Sequence, residues 1–180
     1  MFSKADDPAS VMKLTVGAQE GIGNTFKEFT APQGGAGTLV WNSHFDGEAD
    51  QSAPLGVQPG DLFEDNLPVA LRDLPLKSGF QRKARLWESL TTNHGAAPAV
   101  TAVTIHVTDE DTVHSHAGAI PCWKVAVDRD GGASDTYWFE KAEPHILVRS
   151  EAADGRKRML YARARWSYWD KRLPRPNVLN

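Results

Sequence analysis

The stretch Val100-Thr-Ala-Val-Thr-Ile-His-Val-Thr108 alternates strictly. Thr101, Val103, Ile105 and Val107 fall on one side, and Ala102, Thr104, His106 and Thr108 on the other. A period of two marks a half-buried β-strand, because successive side chains point to opposite faces of a pleated chain. The neighbouring segments extend the pattern. Asp109-Glu110-Asp111 reads as a polar turn, after which residues 112–116 resume the strand. Residues 123–128 follow, and Arg129-Asp130-Gly131-Gly132-Ala133-Ser134 is a hairpin turn in which glycine supplies positive φ. Residues 136–140 form the return strand. Residues 146–151 and 158–169 make a further pair joined around Asp154-Gly155.

Upstream the signal thins. Residues 80–90 alternate around Arg82, Ala84, Leu86 and Glu88, and residues 12–16 read as a short strand. Gly21-Ile22-Gly23-Asn24 is turn-like, and residues 38–41 read as a strand after Gly34-Gly35-Ala36-Gly37. Residues 46–61, rich in Gly, Pro and acids, read as a loop. One short helix fits within residues 61–71, limited by Pro68. Short strands joined by hairpins, with little helical period, predict a mostly-β protein. The expected architecture is an antiparallel sheet curled into a half-barrel or barrel, with at most one or two short helices. A single domain over residues 1–180 is expected, with N-terminal strands and a loop in 1–60 and an antiparallel meander over 70–170.

Composition bounds the function classes. The chain has 180 residues, 41% hydrophobic and 24% charged, enough for a real core. Six Trp, seven Phe and three Tyr argue against disorder. No apolar run approaches the roughly 18 residues needed to span a bilayer, so no transmembrane segment is expected. Met1-Phe2-Ser3-Lys4-Ala5-Asp6-Asp7 shows no signal-peptide pattern. The single cysteine, Cys122, excludes an internal disulfide and a multi-cysteine metal site. Net charge is −3, yet residues 156–180 carry eight Lys or Arg against Asp170 alone. That segment is therefore +7 and the remainder −10, the difference between the two. Trp166, Tyr168 and Trp169 interleave its charges, but a solvated strand face is the expected reading, and no nucleic-acid partner is expected. Gly21-x-Gly23 completes no dinucleotide fingerprint, and no Gly-x-Ser-x-Gly elbow occurs.

Asp111-Thr-Val-His-Ser-His-Ala-Gly-Ala-Ile-Pro-Cys-Trp-Lys-Val125 resembles a segment of a bacterial family, domain of unknown function 3108. The likeness continues through Thr136-Tyr-Trp-Phe-Glu-Lys141 and Pro144-His-Ile-Leu-Val-Arg149. Upstream it takes in Leu74-Pro-Leu-Lys-Ser-Gly-Phe80, and about residues 70–165 are covered in all. The resemblance implies a half-barrel similar to the lipoprotein carriers LolA and LolB, a periplasmic or secreted setting, and an acyl chain or lipidated partner as ligand. It implies no catalytic residues. This chain departs from the family at His114 and His116, where a small or β-branched residue and a proline are usual.

Those histidines carry the alternative reading. If Asp109-Glu110-Asp111 is a turn and Val107 faces Val113, then His106 lies opposite His114, with His116 one pleat further on. Three imidazoles from adjacent strands suit Zn or Cu with an open position for water, hence a metal-dependent hydrolase or oxidase. His44, Asp46 and Glu48 are the candidates for the remaining ligand or supporting shell. A one-residue slip scatters the set. Cys122, between Pro121 and Trp123, reads as a small core residue more than as a nucleophile. His145 reads as structural, and Lys124 as a solvated strand lysine.

Aromatic load is the second clue. Trp41, Trp87, Trp123, Trp138, Trp166 and Trp169 exceed the packing needs of a small sheet. Trp123, Trp138 and Trp87 are the candidates to line a pocket for an apolar or sugar-like ligand, the alternative being a covered core face. The leading expectation is thus a non-catalytic binding protein for a hydrophobic small molecule, lipid or lipidated partner, with no cofactor. Unpaired edge strands would allow a homodimer by sheet extension.

Overall fold

The computed structural model describes residues 1–21, 23–32 and 35–164. Strands dominate, in the order β1 Phe2–Ser3, β2 Val11–Glu20, β3 Gly23–Thr30, β4 Gly37–Ser43, β5 Gln51–Leu55 and β6 Leu62–Phe63. There follow β7 Gln81–Trp87, β8 Val100–Ser115, β9 Gly118–Arg129, β10 Ser134–Glu140, β11 Leu147–Glu151 and β12 Lys157–Met159. A single α-helix among the described residues, α1 at Leu67–Ala70, sits between 3-10 turns at Glu64–Asn66 and Leu71–Asp73. One sheet runs β1-β2-β3-β4-β5 and the other β12-β11-β10-β9-β8-β7-β6. The chain is mostly β, built on a curled sheet with one short helix, as its alternation predicts. The one parallel pair described is β6 with β7, where Leu62 faces Leu86 and Phe63 faces Trp87.

Two compact units form. The first takes Met1–Leu74 and Lys83–Val103, the second Pro75–Arg82 and the chain from Thr104 onward. In the first, Leu14 faces Phe29 and Phe29 faces Leu39 across three strands. All three are buried, with Leu55, Phe63, Trp87 and Leu90 in the same cluster. The opposite parity is polar: Thr15 faces Glu28, and Lys13 pairs with Glu28 at 2.7 Å. Gly37 opens β4 where any Cβ would run into the Thr30 carbonyl and the Phe29 ring, so the residue there has to be glycine.

Three expectations need correction or sharpening. Residues 46–61 are not all loop, because β5 pairs with β4 and sets Pro54 opposite Thr38. That strand lies at the sheet edge with only Leu55 buried, so its sequence shows neither alternation nor an apolar run. Pro68 limits the four-residue α1 from its first turn, where a missing N–H costs nothing, and not from its interior.

The third correction is the largest. Asp109-Glu110-Asp111 is no turn, since β8 runs unbroken for 16 residues from Val100 to Ser115. The run has no glycine, the residue that tight hairpins favour at their positive-φ positions. The chain turns instead at His116 and Ala117, before Gly118 with φ of 101°. Side chains satisfy the acids in place: Trp138 Nε1 donates to Asp111 at 3.0 Å, and Lys141 pairs with Glu110 at 2.7 Å.

In the second unit the hairpin between β9 and β10 forms as expected. Arg129 N–H donates to the Ala133 carbonyl at 2.8 Å, and Gly132 takes φ of 84°. Trp123 faces Phe139, Val125 faces Tyr137 and Trp138 faces Lys124 across it. Ile105, Val107, Val125, Val127 and Phe139 are at most 2% exposed. Val113, Ile120, Cys122, Trp138 and Val148 make a separate buried cluster. The expected strand over residues 158–169 is shorter than read: β12, paired with β11, ends at Met159, and residues 160–164 are not strand. The rest of that expected span, from residue 165 with Trp166, Tyr168 and Trp169, lies outside the described residues.

Candidate functional site

Because β8 does not turn at its acids, His106 and His114 lie on one strand eight residues apart. At the usual strand rise that is about 26 Å. His106 Nδ1 approaches Asp128 Oδ2 at 3.4 Å, and His114 is exposed. His116 sits in the turn with its ring 4.9 Å from that of Tyr161. The three imidazoles are not brought together, and no group of three His, Cys, Asp or Glu among the described residues is placed to hold a metal ion. The geometry expected for Zn or Cu rested on a turn that the acids do not make.

The three candidate tryptophans are separated as well. Trp87 belongs to the first unit's core, stacked 6.2 Å from Phe63, with Nε1 donating to Asp61 at 2.9 Å. Trp123 and Trp138 are on opposite faces of the β9–β10 pair, because Trp123 faces Phe139 while Trp138 faces Lys124. Lys141 Nζ stands 4.4 Å over the Trp123 ring. Trp138 has a cation from each neighbouring strand, Lys124 at 5.8 Å and Arg149 at 4.6 Å, since both are its direct cross-strand partners. Lys124 therefore attends a ring, where a solvated strand lysine was favoured over one stacked on a neighbouring ring. The three indoles do not line one face.

Cys122 is fully buried, and burial pushes its thiol up to about 11. A nucleophile needs the opposite shift, so the core reading stands. Iodoacetamide at pH 8 is expected to leave native Cys122 unmodified and to alkylate it completely in 6 M guanidinium, as the intact mass will read. His145 is held by the Glu140 carbonyl at 2.9 Å and by Glu143 at 3.1 Å, in keeping with a structural role.

A polar cluster lies elsewhere, at the end of β3 and β4 in the first unit. Thr25 faces Ser43 and Lys27 faces Trp41. All four share the parity of Phe29 and Leu39, so they continue the buried face. Lys27 is only 2% exposed, and its Nζ donates to Thr92 Oγ1 at 2.6 Å. Burial holds the ammonium below the usual lysine range against the pull of Glu48 and Asp65. The Asn93 carbonyl accepts from Thr25 Oγ1 at 2.5 Å and Ser43 Oγ at 3.2 Å.

Glu48 fastens the same segment, accepting from Gly95 N–H at 2.6 Å and meeting His94 Nδ1 at 3.2 Å. The Gly95 bond is the chief cause of a Glu48 carboxyl held below the usual range. Phe45 stacks on His94 and lies tilted against His44, each ring 4.2 Å away. Gly95 lies on the Trp41 indole so closely that any Cβ there would clash. Trp41 Nε1 and both ring nitrogens of His44 are buried with no hydrogen-bond partner.

His44 and Glu48 thus belong to this cluster and support no metal-binding histidine; Asp46 is exposed beside them. Sequence reading passed over Thr25, Lys27, Ser43 and Thr92. A signal was present: Lys27 shares the parity of Phe29, and a lysine at an inward position is rarely tolerated without a purpose. No family model matches this chain, and neither a curated protein nor a solved structure does so.

Proposed function

We propose that this protein binds a hydrophobic small molecule or a lipidated partner without transforming it, on the apolar face of its second unit. One observation carries the reading. Ile105 and Val107 on β8, Val125 and Val127 on β9, and Phe139 on β10 put stiff β-branched and aromatic side chains on three neighbouring strands. These side chains are interior, at most 2% exposed, and apolar contacts of this kind suit a buried acyl chain better than a reacting centre. The dispersed histidines and the inert thiol favour binding over catalysis in the same unit. The resemblance to lipoprotein-carrier half-barrels points the same way for residues 70–165.

Native mass spectrometry of the full chain, purified untagged without chelator, tests it. A bound species of acyl-lipid mass, removed by organic extraction and restored by a fluorescent fatty-acid analogue, is the expected result. A bare mass that takes up no analogue overturns the reading. So does near-stoichiometric Zn or Cu that disappears in His114→Ala.

A further inference from the structure

We propose that Thr25, Lys27, Trp41 and Ser43 form a binding site for a small carboxylate, and that residues 92–95 occupy it as a built-in surrogate. This inference lies in the first unit and does not depend on the function proposed for the second.

The argument begins with donors. Lys27 Nζ offers up to three N–H groups, and the bond to Thr92 engages one. Thr25 and Ser43 both reach the Asn93 carbonyl, their hydroxyls lie 3.1 Å from each other, and Ser43 also bonds the Glu48 carboxylate. Trp41 Nε1, on the residue directly across from Lys27, is buried with nothing to donate to. Buried donors without acceptors are costly, so a native fold seldom leaves them unless a ligand supplies the oxygens. The site's present oxygens are Thr92 Oγ1 and Asn93 O from the strap, with the Glu48 carboxylate reaching Ser43 beside them. A carboxylate carries two oxygens with about four lone-pair positions, which suits a cation, two hydroxyls and an indole N–H.

The strap is made to be displaced without disturbing the sheet. Residues 92–95 contain no helix or strand, and Thr92 and His94 are exposed. Glu48 is its clasp, through the Gly95 N–H and His94. Apolar wall is at hand for a short tail, since Trp41 and Val16 pack against the first unit's core. The substrate class is therefore a short-chain monocarboxylate, whose entry must lift the strap. Its affinity is reduced by the cost of that opening.

Titration of the full-length protein with hexanoate, followed by the amide shifts of residues 23–48, tests the proposal, with hexanol as the control of equal tail length. Hexanoate is expected to bind and hexanol to leave those shifts unmoved. Thr92→Ala removes one strap oxygen from an exposed position and should tighten hexanoate about tenfold, the worth of one charge-assisted bond. Lys27→Met in that background, a substitution that keeps the volume apolar, should abolish binding. Equal affinity in Thr92→Ala and the parent chain would overturn the proposal. Hexanoate binding that survives Lys27→Met, or is matched by hexanol, would do the same.

Discussion

Replacing Phe29 with alanine is expected to destabilise the protein by about 3–5 kcal/mol, the usual cost of emptying a fully buried phenylalanine site. Phe29 has no exposed surface and stands at the middle of the inner face, between Leu14 on β2 and Leu39 on β4. Its ring lies 5.1 Å from Phe63, which stacks in turn on Trp87. The strands around it are fixed by backbone ladders and cannot close over the gap, so most of the cavity term should persist. Against a typical total stability of about 5–15 kcal/mol, that is enough to lower the guanidinium midpoint sharply. Denaturation monitored by tryptophan emission checks it. A loss below about 1.5 kcal/mol would mean that the site collapses, which the register of β2, β3 and β4 does not allow.

The second large effect is electrostatic. Asp61 is buried and receives Arg85 through Nε at 2.9 Å and Nη2 at 2.5 Å, Trp87 Nε1 at 2.9 Å and the Gln58 N–H at 2.9 Å. Burial by itself would raise this carboxyl, but the donors together outweigh it and hold it below the ordinary range. The direction sets the pH window. A folded value below the unfolded one makes the contribution fully present above about pH 4 and lost as pH falls through the depressed folded value. Asp61→Asn should therefore cost about 3 kcal/mol at pH 7, the low end for a broken buried pair because Arg85 is partly exposed. The difference between variant and parent should shrink below pH 4. Melting curves between pH 2 and 7 provide the measurement, and a constant offset across that range would contradict the assignment.

What the sequence disclosed followed from how each element is buried. Strands with one covered face, such as the segment from Val103 to Val107, wrote their alternation plainly. The β9–β10 hairpin announced itself because Gly131 and Gly132 are the residues that such a turn requires. β5 did not, because an edge strand with one buried residue leaves no pattern. The course of β8 was misread for a related reason: a run of acids mid-strand resembles a turn until Trp138 and Lys141, distant in sequence, are seen to hold it. That error alone assembled the three histidines, since register over a hairpin converts a wrong turn into a false cluster. The polar cluster around Lys27 stayed hidden because Thr92 and Asn93 are 50 to 68 residues from the strand positions they meet. Only the parity of Lys27 with Phe29 hinted at it.

Pro54 on β5 bears on how copies of this chain behave when crowded. A strand at the rim of a sheet is a template on which another molecule's backbone can zip, and a ladder of unsatisfied N–H groups is the adhesive. Proline has no N–H to offer, and on a rim strand its nitrogen belongs on the solvent side. With only five residues and mostly exposed side chains, β5 presents a short and interrupted template. The N-terminal sheet is thus defended at this rim against the uncontrolled strand addition that seeds fibrils.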